Sequence, residues 1–346
     1  MKKLLLLYPV LGILLGACSN EFQIAAPFQD IPVVYGIISP NDTAHYIRIE
    51  RVFIDPDASA YDVAKIPDSI YYPNNAIAVF LERVNTGQRY QMTRVNGIRE
   101  GYVRQTGTFE RDSNFLYKIK PTQLGGMLRE GEKYRLIIER ADGRPSITAE
   151  TTVPDSLLLI SPRPTDFEPR TIPLSGANPT SVEWRCRANA VVFDVYLHIH
   201  YRELAPDGTF LANKSIRWKA ARNVIRENTL IGSGFYRGKT NISASEFYGV
   251  LLDNVDVTAN VQRYFNSIDV EIEGAGPEIA DYQESEAVNA GLTGAEVTTR
   301  YSNLSEGYGI FTAKKDWTIP GFRLTSAAFD SLNANNDRRV LLKFKG

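Results

Sequence analysis

Between Val191 and Tyr201 the chain keeps a two-residue period. Val191, Phe193, Val195, Leu197, Ile199 and Tyr201 form one apolar set, while Asp194, Tyr196, His198, His200 and Arg202 form the other. Successive side chains of a strand point to opposite faces, so this pattern describes one buried and one wet sheet face; a helix would scatter both sets around its circumference. Just upstream, Val182, Trp184 and Cys186 alternate with Glu183, Arg185 and Arg187. Val33–Ile38 is a continuous apolar run of the buried-strand type, and Tyr46–Glu50 and Ala76–Glu82 alternate. Further strands are expected at Arg89–Val95, Tyr102–Phe109, Leu116–Lys120, Tyr134–Arg140 and Ser146–Val153, with an Asp142-Gly143 hairpin signal before the last. The chain is therefore expected to be mainly β. An N-terminal immunoglobulin- or fibronectin-III-like sandwich should be followed by a C-terminal β-rich domain with one or two short helices. Those helices are expected near Ser243–Asn254, where Ser243 and Glu246 form a capping box, and near Thr325–Leu332. Strands at Ser267–Gly274, Gly309–Ala313 and Val340–Phe344 complete the second domain.

Six of the 18 prolines fall between Pro154 and Pro179. Each removes a backbone donor and disfavours helix in its neighbour, so this stretch is expected to be an extended seam. The domain boundaries that follow are 31–153 for the sandwich, 154–179 for a Pro-rich linker and 180–346 for the C-terminal domain. Asp55–Tyr72 is an acidic, Tyr-tipped insertion without a place in the strand pattern.

The amino terminus reads as an address. Lys2 and Lys3 precede an apolar run from Leu4 to Gly16, 13 residues or about 20 Å as a helix, short of the ~30 Å hydrocarbon core of a bilayer. Leu15-Gly16-Ala17-Cys18 then offers a small-residue cleavage site, so 1–17 is expected to be a signal peptide. A Cys at that point resembles a bacterial lipobox. Cys18 would be the lipidated residue, heading a tether over 18–30 that spans at most about 40 Å; the plainer alternative is an ordinary signal with an incidental Cys. Ser19 after the Cys fits retention at the outer membrane in the lipoproteins that the site resembles. Lipidation of Cys18 leaves Cys186 alone, so no intrachain disulfide forms and packing must stabilise the fold. Cys186 falls among apolar residues and is expected to be an inert core thiol.

Catalytic signatures are sparse. Nucleophile elbow, phosphate-cradling loop and His-Glu-x-x-His motif are all missing from the sequence, and it holds three histidines, His45, His198 and His200. His198 and His200 share a strand face, as a chelate requires, and are weak metal candidates without an evident third ligand. Glu271, Glu273, Glu278, Asp281, Glu284 and Glu286 form a carboxylate cluster of the kind from which a glycosidase draws its acid and base. Asn333, Asn335, Asn336 and Asp337 are oxygen ligands lacking a calcium-loop pattern. No catalytic residue, metal or cofactor is assigned. Lys plus Arg is 39 against 40 for Asp plus Glu, and this balance argues against a nucleic-acid partner. The paired aromatics Tyr71-Tyr72, Phe235-Tyr236, Phe247-Tyr248 and Tyr264-Phe265 suit either core packing or stacking on glycan rings.

Ile31-Pro-Val-Val-Tyr-Gly-Ile-Ile38, His45-Tyr-Ile-Arg-Ile49, Gly131-Glu-Lys-Tyr-Arg-Leu136, Thr152-Val-Pro154 and Tyr301-Ser-Asn-Leu-Ser-Glu-Gly-Tyr-Gly-Ile-Phe311, together with the lipobox, resemble the uncharacterised outer-membrane lipoproteins of Bacteroidota. That resemblance implies an immunoglobulin-like first domain, a β-rich second domain and association with TonB-dependent receptors. It carries no catalytic residues. Gly307 and Gly309 would permit a tight turn into a buried strand. The expected role is a non-enzymatic binding or accessory subunit of an envelope assembly, held to the outer membrane by its lipid and partnered by an envelope protein. The alternatives are a surface glycan-binding lipoprotein and a hydrolase.

Overall fold

The computed structural model describes residues 30–53, 70–103, 114–164, 170–290, 301–332 and 342–345. Within them the chain is mainly β, built around two apolar cores.

The first unit comprises β1 (Asp30–Ile38), β2 (His45–Phe53), β3 (Ile77–Arg83), β4 (Gln88–Gln91), β5 (Thr93–Asn96), β6 (Phe115–Ile119), β7 (Lys133–Arg140) and β8 (Ile147–Thr152). Hydrogen bonding orders them β1-β2-β6-β5 in one sheet and β4-β3-β7-β8 in the other. This is the A-B-E-D and C′-C-F-G order of an immunoglobulin-like sandwich. Val34, Ile38, Ile47 and Ile49 from the first sheet meet Val79, Leu81, Leu136 and Ile138 from the second. Tyr134, buried at the start of β7, accepts a hydrogen bond on its hydroxyl from Arg129 N at 3.1 Å. That is the tyrosine corner of such folds, and it explains the Gly131–Leu136 motif physically. One expected strand, Arg89–Val95, is two. The chain changes sheets at buried Met92, whose N–H still bonds Val79 O at 2.8 Å. The expected strand at Tyr102–Phe109 is not formed at Tyr102 and Val103, and its remainder lies outside the described residues.

The second unit contains β9 (Leu158–Ser161), β10 (Thr171–Ile172), β11 (Thr180–Cys186), β12 (Val192–Leu204), β13 (Phe210–Ile225), β14 (Tyr236–Ile242), α1 (Ala244–Asn254), β15 (Gln262–Ala275), α2 (Pro277–Ala290), β16 (Tyr308–Leu324), α3 (Ser326–Leu332) and β17 (Phe344–Lys345). β11 and β12 do not pair with each other. They lie in different sheets, β14-β11-β9 and β13-β12-β15-β16, and their apolar faces meet in one core of Val182, Trp184, Cys186, Val195, Leu197 and Ile199. Ser243 caps α1 by accepting from Ser245 N, as its position predicted. Three helices are described where one or two were expected. The additional one, α2, starts with Pro277 at its first turn, where a missing N–H costs nothing. The 154–179 stretch is more than a connector: β9 and β10 are edge strands, and Leu159, Ile172 and Leu174 belong to the second core. Edge strands tolerate nearby prolines because one side of their backbone needs no partner.

β16 joins the two units. Residues 308–313 pair in parallel with β1, and from Lys314 onward the strand pairs antiparallel with β15. Phe311 and Ala313, from the segment expected in the C-terminal domain, are therefore core residues of the first sandwich. The motif leading into β16 fastens it there. Asn303 copies a strand partner, accepting from Phe311 N at 2.9 Å and donating to Phe311 O at 2.6 Å. Ser305 exchanges bonds with Thr148 of β8. Glu306 takes both terminal nitrogens of Arg140, a side chain only 2% exposed, at 2.7 and 2.5 Å. Gly309 is needed for close approach as well as for conformation: its φ is 114°, and a Cβ there would lie 1.9 Å from Val34 O. A side chain at this point would displace β1.

Candidate functional site

The wet face of the second unit's large sheet gathers most of the chemistry anticipated from sequence. Strand parity puts Asp194, Tyr196, His198 and His200 of β12 on that face, between Lys219 and Arg217 of β13 and Asp269, Glu271 and Glu273 of β15. The two imidazoles are stacked, 6.5 Å apart and 18° from parallel, as their spacing requires. Each turns to a carboxylate. His198 Nε2 meets Glu271, and His200 Nε2 meets Asp269 Oδ2 at 3.0 Å. Arg217 closes on Glu271 with bonds of 2.9 and 3.2 Å and covers the Tyr196 ring at 3.5 Å. Lys219 reaches Asp194 at 2.6 Å, and Lys314 of β16 reaches Glu273 at 2.7 Å. Among the described residues, no group of three or more His, Cys, Asp or Glu converges as a metal ion would need.

Electrostatics along this row depend on depth. Burial works against the Glu271 charge, but bonds from Arg217 and His198 outweigh it and hold the carboxyl below its ordinary range. Asp316 on β16 goes the other way. Burial pushes it up to about 6, with Lys314 opposing and Glu273 adding repulsion. Its Oδ1 is buried without a hydrogen-bond partner among the described residues.

The carboxylates that looked like one cluster belong to two elements. Glu271 and Glu273 project from β15, whereas Glu278, Asp281, Glu284 and Glu286 ride on α2. Gly276-Pro277 ends the strand and starts the helix, breaking the run. Glu278 is drawn against β16, accepting from Thr312 Oγ1 at 3.1 Å, and burial raises its carboxyl.

α2 shelters a cleft of about 250 Å³ lined by Ile37, Val192, Phe193, Ala275 and Ile279, with Asp194, Asn223, Glu273, Gln283 and Lys314 at its polar side. From this cleft an apolar strip follows the outer face of β1 toward the start of that strand. Ile37, Tyr35, Tyr308 and, on β2, Val52 are 45%, 44%, 39% and 52% exposed, and their registers put them on one face together with the Arg48–Glu50 ion pair of β2. This strip was not evident in the sequence. Val33–Ile38 reads as a continuously buried strand, and only the structure shows Tyr35 and Ile37 part-exposed beside α2, with Ile37 in the cleft and Tyr35 bonded to Tyr282.

The remaining expectations resolve locally. Cys186 is fully buried; burial pushes its thiol up to about 12, and Sγ lies 3.7 Å from Tyr236 O. His45 faces the first core, 1% exposed, and burial lowers it to about 4. Tyr71, Tyr72, Phe247 and Tyr248 are core residues, whereas Phe235 and Tyr236 lie under Arg187 and Arg226, and Tyr264 lies under Arg202. Cys18, the calcium-type oxygens of 333–337 and most of the 55–72 insertion lie outside the described residues. Among the described residues, no helix is long and apolar enough to cross a membrane.

No protein-family model matches the chain, and no curated protein does. Among solved structures it is similar to the C-terminal globular domain of an oligosaccharyltransferase from Pyrococcus abyssi, at 10% identity and a TM-score of 0.20. The match covers 87% of this chain and 50% of that one.

Proposed function

We propose that this protein is an outer-membrane lipoprotein, anchored through Cys18, that serves as a non-enzymatic binding or accessory subunit of an envelope assembly, with a TonB-dependent receptor as the partner class. One observation supports the reading: the part-exposed apolar side chains Tyr35, Ile37 and Val52 on the outer face of β1 and β2. Contiguous exposed apolar surface on a folded protein marks a contact site more often than chance exposure. Here it lies on the strand that directly follows the tether, while the neighbouring face of the same sheet is neutralised by ion pairs. A tether of at most about 40 Å keeps this strip within reach of proteins embedded in the same membrane.

The test has two arms. Cys18→Ser in the full chain should release the protein from the membrane fraction and abolish palmitate labelling. With Cys18 intact, a photo-crosslinking residue at Ile37 or Val52 should trap a discrete membrane-protein adduct, and one at the distant Lys345 should not. A Cys18→Ser protein that stays membrane-bound removes the anchor. Crosslinking that is equally diffuse at all three positions removes the contact face.

A further inference from the structure

We propose a small-molecule oxyanion site on the outer face of the three-stranded β14-β11-β9 sheet, remote in sequence from the apolar strip and independent of the anchoring argument. Arg185 of β11 and Arg237 of β14 are register partners and project from the same face, opposite to buried Trp184 and Cys186. Like charges directly opposite on adjacent strands are destabilising. Among the described residues neither guanidinium is within ion-pair or hydrogen-bond distance of a partner, Arg237 Nε is buried without one, and Arg237 acts on Glu183 only at longer range. The nearby carboxylate, Glu183, is already held by Lys239 at 2.7 Å and by the Ser181 hydroxyl at 3.0 Å. Arg185, Arg237 and Lys239 against Glu183 leave this patch with surplus positive charge.

The two arginines open into a cleft of about 430 Å³, lined also by Ile160, Ile231, Ser233, Phe235 and the Lys239-paired Glu183. Its size falls in the usual range for small-ligand pockets, about 300–1,000 Å³. Its roof is the 231–235 loop, fixed by Arg187, which stacks 3.8 Å over Phe235 and donates to Ser233 O at 2.9 Å. Gly232, Ser233 and Gly234 all have positive φ, and their N–H groups have no acceptor among the described residues. Planar guanidinium forks suit carboxylate and phosphate oxygens, and the Phe235, Ile160 and Ile231 walls suit the ring that carries them. The ligand class is thus a sugar-sized ring bearing a carboxylate or phosphate group, whose charge relieves the Arg185–Arg237 repulsion.

The full chain in detergent would be titrated calorimetrically with D-glucuronate, glucose 6-phosphate and neutral D-glucose, and its melting temperature followed with each. One or both anions should bind saturably and raise the melting temperature while glucose does neither. Glucuronate alone marks a carboxylate site, and glucose 6-phosphate alone marks a phosphate site. Arg185→Gln and Arg237→Gln should each weaken binding by about tenfold or more, while leaving the ligand-free melting temperature unchanged or higher. Arg185→Lys, which keeps charge but loses the fork, should fall between. Absence of saturable binding by either anion at millimolar concentration overturns the proposal. So does binding that survives both Gln substitutions, or glucose binding as tightly as the anions.

Discussion

Glu306→Gln tests whether β16 makes the two units unfold together. Arg140 donates to Glu306 and to Pro145 O, and its side chain is 2% exposed while that of Glu306 is 40% exposed. Breaking a fully buried ion pair costs about 3–5 kcal/mol. The exposed half of this pair is screened by solvent, and Arg140 keeps its carbonyl partner, so about 2 kcal/mol is the reasonable loss. With an m-value near 3 kcal/mol/M the urea midpoint should fall by roughly 0.7 M. The chain reports on itself: its three tryptophans, Trp184, Trp218 and Trp317, all lie on second-unit strands, whereas Arg140 and Glu306 fasten the first. Tryptophan fluorescence and far-ultraviolet circular dichroism should therefore shift together. The pH dependence gives a second check. Bonds to Arg140 hold the Glu306 carboxyl below its ordinary range, so its contribution is present above the unfolded carboxylate pKa and lost as pH falls through the folded value. Wild type and variant should converge in acid. A tryptophan transition that stays put while a separate dichroism transition moves earlier would refute mechanical coupling through β16.

Two further outcomes are expected. His45, lowered by burial from 6.5 to about 4, has no hydrogen-bond partner on either ring nitrogen among the described residues. Between those pH values the unfolded chain binds a proton that the folded chain refuses, so His45 subtracts up to about 3 kcal/mol of stability as pH falls through that window. His45→Leu should flatten this part of the urea-midpoint profile, and an unchanged slope would show that another group sets it. Gly309→Ala, forced toward Val34 O at a φ of 114°, should cost about 3 kcal/mol or more in thermal or urea unfolding; a loss below about 1 kcal/mol would mean that β1 yields easily.

Burial was legible in the sequence where apolar and polar residues alternate, because periodicity records it directly, and not in the unbroken apolar run of Val33–Ile38. Parity put His198 and His200 on the wet face and Cys186 in the core, and the Ser243 cap announced α1. Pairing was not legible in the same way. Asp269 and Glu271, which receive the two histidines, come from a strand about 70 residues downstream, and nothing local links them. β13 went unread because it is an edge strand whose exposed positions interrupt the alternation. α2 was hidden by its charge: Glu278–Glu286 reads as part of one carboxylate cluster with Glu271 and Glu273, although Pro277 followed by an Ala- and Glu-containing run is a helix start. The Ser302–Gly309 segment was visible as a motif but not as a fastening, since its partners Arg140, Thr148, Val34 and Glu150 are scattered over the first sandwich.

That last point bears on how such a chain can act. A sandwich made only of β1–β8 would leave the outer edge of β1 unpaired, and it would lack Phe311 and Ala313 from its core. Unpaired edges invite pairing with other chains. Here the edge is occupied by a strand whose other half pairs with β15, so the first unit's core includes residues of a strand that it shares with the second. The apolar strip is assembled from the same junction, because Tyr308 comes from β16 while Tyr35 and Ile37 come from β1.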